Sequence, residues 1–381
     1  MQETRWFRRA GPGFASLGAL AALGLVATSV VAMSTIGAPS RSWVPPACDG
    51  LPGVSASTAT GTWFRLDPRL DTGGALTGQR LTFGSAVAVA PQSWDLPPES
   101  FASGPIGGTI LVGADDGATS DLRLLNAGAA CAWDLAQEGS VVRRATLSPD
   151  GTSLYETRVD RRTRADLGVW RRTFQAADAP IRVMKPLDDD ARFGRTFTTE
   201  FAWSPDGRTL AVQSCGEVAC RVRTLEPANG RRRAIANPSL GTMVGLTADR
   251  LIVRGPCHGL PCPLLGVRLD DGAVSVLEAA AGQATLVASD GGEDTVVYEA
   301  DAAGASLRSV APDGSVRLDL GSPPTGRRLV PLVSGMSSGA EIAAGSILLV
   351  PVDAAPFTID RRAVVQRLVD ARITTISEGS R

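Results

Sequence analysis

The string Ser-Pro-Asp-Gly occurs twice in this sequence, in closely similar surroundings. The two segments are ATLSPDGTSLYETRV (145–159) and FAWSPDGRTLAVQSC (201–215). Serine at the first position, proline with its fixed φ at the second and glycine at the fourth favour a type I β-turn. An apolar strand precedes each turn and an alternating strand follows it, so each copy predicts a β-hairpin. The turn residues are Ser148, Pro149, Asp150 and Gly151, and Ser204, Pro205, Asp206 and Gly207.

The hairpin pattern recurs about every 43 residues. Steps of 43 from Asp206 reach Asp249, Gly292 and Gly335, and a step of 43 back from Asp150 reaches Gly107. Each of these positions lies beside strand-like segments, and a period of about 40–45 residues is typical of β-propellers. We therefore predict an all-β fold, a six- or seven-bladed propeller over residues 61–360. GTWFRLDPRL and LTFGSAVAVA would form the seventh, degenerate blade, and a pair of β-sandwiches is the alternative fold.

The second copy, FAWSPDGRTLAV, resembles the WD40-like repeat of TolB-type β-propellers, in which this string joins the first two strands of a blade. The resemblance implies closure in which the outer strand from one terminus completes a blade begun at the other. TWFRL (62–66) is the candidate for that strand. The resemblance implies nothing specific about function, because such propellers serve many functions.

The N-terminal region predicts a membrane segment. Arg5, Arg8 and Arg9 precede an uncharged run from Phe14 to Ile36, which would extend about 35 Å as a helix and cross a bilayer. The positive flank predicts a cytoplasmic tail over 1–12, a transmembrane helix over 13–36 and everything later outside the cell membrane. Residues 37–60, rich in Pro, Ser and Thr, predict a stalk. A signal peptide cleaved near Ala32, giving a secreted protein, is the alternative.

The six cysteines predict disulfides, because the region that holds them is predicted to lie in an oxidising compartment. Both members of the pair Cys215 and Cys220 lie 42 residues before those of the pair Cys257 and Cys262, so the pairs occupy the same hairpin of consecutive repeats. Each pair would close a short loop. A zinc site that also uses His258 is the alternative. Cys48 and Cys131 would link the stalk to an early blade.

Few residues point to catalysis or cofactors. One histidine leaves little scope for histidine-dependent catalysis, and a formal net charge of −1 argues against a nucleic-acid partner. We predict no metal and no cofactor. Trp94, in the loop-like PQSWDLPPES, is the candidate ligand contact. The other candidates, each with a plainer structural explanation, are the acidic groups Asp115–Asp116 and Asp188–Asp190 and the arginines Arg161, Arg162, Arg164, Arg171, Arg172 and Arg231–Arg233.

Beyond Asp360, the spacing of Val364, Val365, Leu368 and Val369 predicts a short amphipathic helix within a C-terminal segment, 361–381. Taken together, the sequence predicts a membrane-anchored, non-catalytic module that binds another envelope protein or a glycan. A hydrolase or lyase that uses carboxylates in the propeller channel is the alternative, because such chemistry needs only two carboxyl groups.

Overall fold

The computed structural model divides the chain into two units, Met1–Val44 and Pro45–Arg381. The structure describes residues of the second unit only. These are 46–49, 61–84, 91–115, 120–135, 140–173, 179–187, 197–216, 220–235, 241–255, 257, 260–289, 293–331, 338–351, 364–369 and 372–376.

Twenty-eight strands make up the regular structure of these residues. The first fourteen are β1 (Trp63–Leu70), β2 (Leu76–Gly84), β3 (Gln92–Leu96), β4 (Phe101–Ile106), β5 (Thr109–Asp115), β6 (Ser120–Asn126), β7 (Cys131–Asp134), β8 (Ser140–Leu147), β9 (Ser153–Asp160), β10 (Asp166–Thr173), β11 (Ile181–Met184), β12 (Phe197–Trp203), β13 (Leu210–Cys215) and β14 (Cys220–Glu226). The others are β15 (Arg231–Ala234), β16 (Met243–Leu246), β17 (Arg250–Arg254), β18 (Cys262–Arg268), β19 (Val274–Ala281), β20 (Ala284–Val287), β21 (Thr295–Glu299), β22 (Leu307–Val310), β23 (Arg317–Gly321), β24 (Arg327–Leu329), β25 (Ser338–Ala340), β26 (Ser346–Pro351), β27 (Val364–Val369) and β28 (Arg372–Ile376).

The strands form seven four-stranded antiparallel sheets. Five sheets are built from consecutive strands, β4–β7, β8–β11, β12–β15, β16–β19 and β20–β23. The first sheet has the order β25-β1-β2-β3 and the last has the order β24-β26-β27-β28. Consecutive contacts join β25, β4, β8, β12, β16 and β20, each at one edge of its sheet. We call these strands the inner strands, together with β24, which takes the same position in the last sheet.

Apolar clusters join each sheet to its neighbour. One cluster packs Tyr155, from the sheet β8–β11, against Phe201 and Leu210 of the sheet β12–β15. Equivalent clusters continue around the molecule, and the cluster that contains Val330, Leu348 and Trp63 joins the last sheet to the first. The sheets therefore close into a ring, with the core distributed between the sheets rather than gathered in one centre.

The two Ser-Pro-Asp-Gly turns have the same hydrogen bonds. Gly207 N–H donates to the Ser204 carbonyl at 2.8 Å, the Ser204 hydroxyl donates to Asp206 at 2.6 Å, and Thr209 N–H donates to the Ser204 hydroxyl at 2.9 Å. Gly207 has a φ of 68°, where a side chain would be strained. The first copy repeats this network around Ser148. Each turn joins an inner strand to the second strand of its sheet, as the repeat predicts.

The ring closes differently from the prediction. TWFRL was expected to be the outer strand of a blade, but Trp63–Leu70 is the second strand of the first sheet. The innermost position is taken by β25, which lies near the other end of the chain and pairs Trp63 with Ala340. β25 is only three residues long and lies between β24 and β26 in sequence. The segment that connects β24 to β26 of the last sheet therefore supplies the inner strand of the first sheet.

The predicted C-terminal helix is wrong for the described part of that segment. Val364–Val369 and Arg372–Ile376 are the third and outermost strands of the last sheet. Val364 pairs with Leu349, and Leu368 pairs with Ile373. Valine and isoleucine favour strands. Pairing of β27 with β26 also satisfies the backbone groups at the edge of β26, which a helix packed on the surface would leave without partners.

The six cysteines form three disulfides, Cys48–Cys131, Cys215–Cys220 and Cys257–Cys262. Cys215 and Cys220 lie directly opposite each other in β13 and β14. Cys48 N–H donates to the Ala132 carbonyl at 3.0 Å, so residues 46–48 add to the edge of β7 beside their disulfide. The sulfurs are therefore not available for the alternative zinc site.

The predicted tail and the predicted transmembrane helix, which contains Ala32, lie outside the described residues. Nearly all of the predicted stalk lies outside them as well. Within the described residues, no helix is long and apolar enough to cross a membrane.

Candidate functional site

A cavity of about 430 Å³ lies where the inner strands meet their turns. Six of the seven inner strands, or the residues next to them, contribute to its wall. Three prolines, Pro105, Pro149 and Pro205, belong to the wall, two of them from the Ser-Pro-Asp-Gly turns. The repeat therefore builds this site as well as the fold, because each copy delivers the same turn to one end of the ring.

Trp203 is the largest side chain in the wall of this cavity. Its ring meets that of Tyr155 edge-to-face, with centroids 5.2 Å apart. The indole Nε1–H is shielded from solvent and has no hydrogen-bond acceptor. The Trp203 ring is therefore held in the wall by packing and not by a hydrogen bond of its N–H group.

Glu341 is the carboxylate of the cavity wall. It follows β25 directly and accepts hydrogen bonds from Gly107 N–H at 2.8 Å and Gly108 N–H at 3.0 Å. These two amides form the turn between β4 and β5. Glu341 thus fastens the closing strand to the neighbouring sheet, and its oxygens are engaged by the protein itself.

A second polar group, Glu200 with Arg144, lies midway along the inner strands β12 and β8. Burial raises the pKa of Glu200 to about 7, although a hydrogen bond from Met243 N–H and the nearby Arg144 both act to lower it. Burial also lowers the pKa of Arg144, as does the neighbouring Arg143. The Arg144 guanidinium donates to the Thr199 carbonyl at 3.2 Å and to the Arg143 carbonyl at 2.8 Å. A carboxyl group that holds a proton near neutral pH can act as a general acid.

A scan against protein-family models gives no match, and a search of curated proteins gives none either. Solved structures do match. A structure of prolyl endopeptidases has 12% identity and a TM-score of 0.51, covering 84% of this chain and 50% of that one. TolB from Acinetobacter baumannii has 15% identity and a TM-score of 0.45, with 77% and 68% covered. An oligogalacturonate lyase in complex with manganese has 14% identity and a TM-score of 0.48, with 84% and 86% covered.

The fold is that of a β-propeller. The chain spans half the length of the prolyl endopeptidase structure, and at 12% identity that likeness shows the fold alone. The cavity lies at the turn ends of the inner strands, and Glu200 with Arg144 lie farther along β12 and β8.

Trp94 does not belong to the site. It was predicted to lie in a loop and to contact a ligand, but it lies in β3 and only 4% of its surface is exposed. Its ring packs edge-to-face on Phe83, with centroids 4.4 Å apart. The neighbouring prolines and serines indicate a loop in sequence, whereas pairing of Trp94 with Leu81 buries the side chain.

The other candidate residues are dispersed. Asp115 is buried at the end of β5 and accepts from Arg164 at 2.9 Å, while Asp116 and Asp188–Asp190 lie outside the described residues, as does His258. Across the part of the chain that the structure describes, no three His, Cys, Asp or Glu side chains come together as a metal site would require.

Glu200 and Glu341 are not among the candidate residues predicted from the sequence. Glu200 directly precedes the repeat FAWSPDGRTLAVQSC (201–215), and a carboxylate beside this apolar strand was the available signal. Glu341 had no such signal, because its partners Gly107 and Gly108 are more than 230 residues away in sequence.

Glu200 predicts a pH dependence of stability. The pKa of Glu200 is raised from 4.5 in the unfolded chain to about 7 in the folded protein. As pH rises above about 4.5, Glu200 loses its proton in the unfolded chain first, so the free energy of unfolding falls until about pH 7. A shift of this size corresponds to a loss of about 3 kcal/mol between pH 4.5 and 8. Glu200→Gln cannot ionise and keeps an acceptor for Met243 N–H. We expect this variant to lack that loss.

The measurement is urea unfolding of the parent and of Glu200→Gln at pH 5 and pH 8, with the difference between the two proteins compared. Titration of all other groups cancels in that difference. Curves that shift by the same amount in both proteins would contradict a raised pKa at Glu200.

Proposed function

We propose that this chain is a seven-bladed, non-catalytic recognition propeller that is held outside the cytoplasm by its N-terminal apolar segment, and that it binds another protein of the cell envelope. The observation that carries the proposal is the cavity at the turn ends of the inner strands. Its wall combines apolar side chains, such as Ile106, Leu286 and Ile342, with the aromatic ring of Trp203. A mostly apolar wall of this kind suits an apolar side chain of a partner polypeptide.

The polar groups of the cavity favour recognition over chemistry. Glu341 has its carboxylate oxygens bound by two backbone amides, so it already has a structural role in fastening β25 to the neighbouring sheet. The three disulfides support a location in an oxidising compartment.

The test is capture of partner proteins from detergent-solubilised membranes with the full chain. Ile342→Glu places a charge in the cavity wall and should abolish capture of the specific partner. Trp203→Phe keeps an aromatic ring in the wall and should change capture little, because the buried indole N–H is not exposed to the cavity. Val276→Glu is the control, because Val276 is 59% exposed on the outer strand β19 and the charge change is the same. Equal capture by all four proteins would refute the cavity as the binding site.

A carboxylate-dependent hydrolase or lyase is the second candidate, and the raised pKa of Glu200 beside Arg144 favours it. Glu200 would donate the proton, and Glu99, whose charge also acts on Arg144, is the nearest candidate for a second carboxylate. This function predicts release of sugar ends from an envelope polysaccharide by the parent protein and none by Glu200→Gln. Equal release by both proteins, or by neither, would exclude it.

A further inference from the structure

The hairpin of β1 and β2 projects beyond the rest of its sheet. β25 pairs with β1 only as far as Arg65, and β3 pairs with β2 only as far as Gln79, which lies opposite Pro68. We call residues 68–77 the hairpin tip. In the part of the chain that the structure describes, no third strand pairs with the hairpin tip, and each of its ten residues is exposed.

The hairpin tip presents two leucines on one face. Leu70 and Leu76 lie opposite each other in the two strands, so both side chains point to the same side of the hairpin. They are 59% and 46% exposed. Leu70 lies two residues beyond the last position that β3 reaches, which is about 7 Å along the strand. These leucines therefore contribute little to the core and form an apolar patch at the end of a projecting hairpin.

The turn of the hairpin tip holds the two leucines in a fixed arrangement. Asp71 Oδ1 accepts hydrogen bonds from Gly73 N–H and Ala75 N–H, both at 2.8 Å. Asp71 N–H donates to the Ala75 carbonyl at 2.9 Å, and Gly74 N–H donates to the Asp71 carbonyl at 3.0 Å. Because the turn is already ordered by these bonds, little conformational entropy is lost when the hairpin tip is bound.

The hairpin tip and the cavity of the inner strands lie at opposite ends of the first sheet. β25 ends at Ala340, which belongs to the cavity wall. β1 begins opposite Ala340 at Trp63 and runs antiparallel to β25, so it leads away from the cavity. From Trp63 to Leu70 the strand extends about 23 Å. The hairpin tip cannot reach the cavity of its own molecule, but it is free to enter that of a second copy.

We propose that the hairpin tip of one molecule binds in the cavity of a second copy of this chain. The proposal rests on the proposed function, which assigns an apolar polypeptide segment to the same cavity. The cavity of about 430 Å³ has Ile106, Leu286 and Ile342 in its wall. A cavity of about 150 Å³ holds a benzene ring, so this one has room for two leucine side chains. A lipid surface is a poorer occupant, because the polar backbone of the turn would lose water there without gaining partners.

The resulting contact is head-to-tail. Each molecule has one hairpin tip and one cavity at opposite ends of the first sheet, so binding of one copy leaves a free tip and a free cavity for the next. We expect this association to be weak, because one hairpin tip buries less than the ~1,200–2,000 Å² of a stable interface.

The experiment is sedimentation velocity of the full chain in detergent at rising protein concentration. Leu70→Asp places a charge on the hairpin tip and Ile342→Glu places one in the cavity wall, and each should weaken association at least about tenfold. Leu318→Asp should associate like the parent, because Leu318 is 41% exposed on the outer strand β23 and the charge change is the same. All of these proteins share the same N-terminal segment, so association through that segment would be equal in all.

Mixing two variants gives a sharper test. Leu70→Asp keeps the cavity and Ile342→Glu keeps the hairpin tip, so the mixture should form pairs but no longer chains, although neither variant associates alone. Circular dichroism melts establish that the variants are folded. Leu76→Asp with Ile106→Glu is an independent second combination.

Three outcomes would overturn the proposal: a parent protein that stays monomeric at every concentration, a Leu70→Asp protein that associates like the parent, or a mixture without pairs. If the parent stays monomeric while Ile342→Glu still loses the envelope partner, this proposal fails and the proposed function stands. Pairs in the mixture, with equal capture of envelope proteins by the parent and Ile342→Glu, would instead show that the cavity binds a second copy and not the envelope partner.

Discussion

Replacing Trp94 by alanine is expected to lower the free energy of unfolding by about 3–5 kcal/mol, the usual cost of removing a buried tryptophan side chain. Trp94 is 4% exposed, lies opposite Leu81 in the sheet and packs on Phe83. Leu81 and Phe83 are themselves fully buried, so the alanine variant would contain an enclosed cavity that neighbouring side chains could not readily fill. Chemical unfolding monitored by circular dichroism measures the loss.

Trp94→Phe is the matched control, because it keeps an aromatic ring against Phe83 and should lose much less stability. Neither variant should alter partner binding at the cavity once the protein is folded. A Trp94→Ala protein that unfolds like the parent but binds its partner poorly would restore the interpretation of Trp94 as a ligand contact.

The sequence predicts best where the structure depends on local chemistry. The Ser-Pro-Asp-Gly turns depend only on the hydroxyl of Ser204, the ring of Pro205 and the free φ of Gly207, which are neighbours in the chain. Part of this arrangement recurs in the shorter turn at Thr247, whose hydroxyl donates to Asp249 at 3.1 Å as the Ser204 hydroxyl does to Asp206. Because these short-range bonds repeat with the period of the fold, the sheets that they begin could be located from sequence alone.

Prediction was wrong where distant segments meet. β25 has the sequence Ser-Gly-Ala, which has no apolar alternation to mark it as a strand, and it becomes one because β1 has an open edge beside it. The spacing of Val364, Val365 and Leu368 fits a helix as well as a strand. In the structure, the free edge of β26 decides between them by pairing with Val364–Val369.

The candidate site could be predicted only in part. Pro149, Pro205 and Trp203 reach the cavity through the repeat, so their shared location follows from the periodic pattern. Glu200 depends on burial by the neighbouring blade, and Glu341 depends on closure of the ring. Both are consequences of tertiary structure that spacing in the sequence does not encode.

Glu299→Ala is expected to destabilise the propeller by about 3–5 kcal/mol, the usual cost of breaking a buried ion pair by removing one partner. The Glu299 side chain is fully buried and forms an ion pair with Arg328 of the last sheet. Its carboxylate also accepts hydrogen bonds from Gln283 N–H and Leu329 N–H, both at 3.1 Å. Alanine would leave the half-buried guanidinium and both amides without these partners. Urea unfolding measures the loss.

Glu299 joins the sheet β20–β23 to β24, and the segment after β24 supplies the inner strand of the first sheet. Removing the Glu299 carboxylate should therefore destabilise the place where the ring closes. Amide hydrogen exchange at Leu329 and at the residues of β25 should therefore accelerate more than exchange within β12–β15. Glu293→Gln is the control, because Glu293 is exposed and its replacement should change stability by less than about 0.5 kcal/mol. Uniform acceleration across all sheets would instead mean that Glu299 stabilises the propeller as a whole and has no special role in closure.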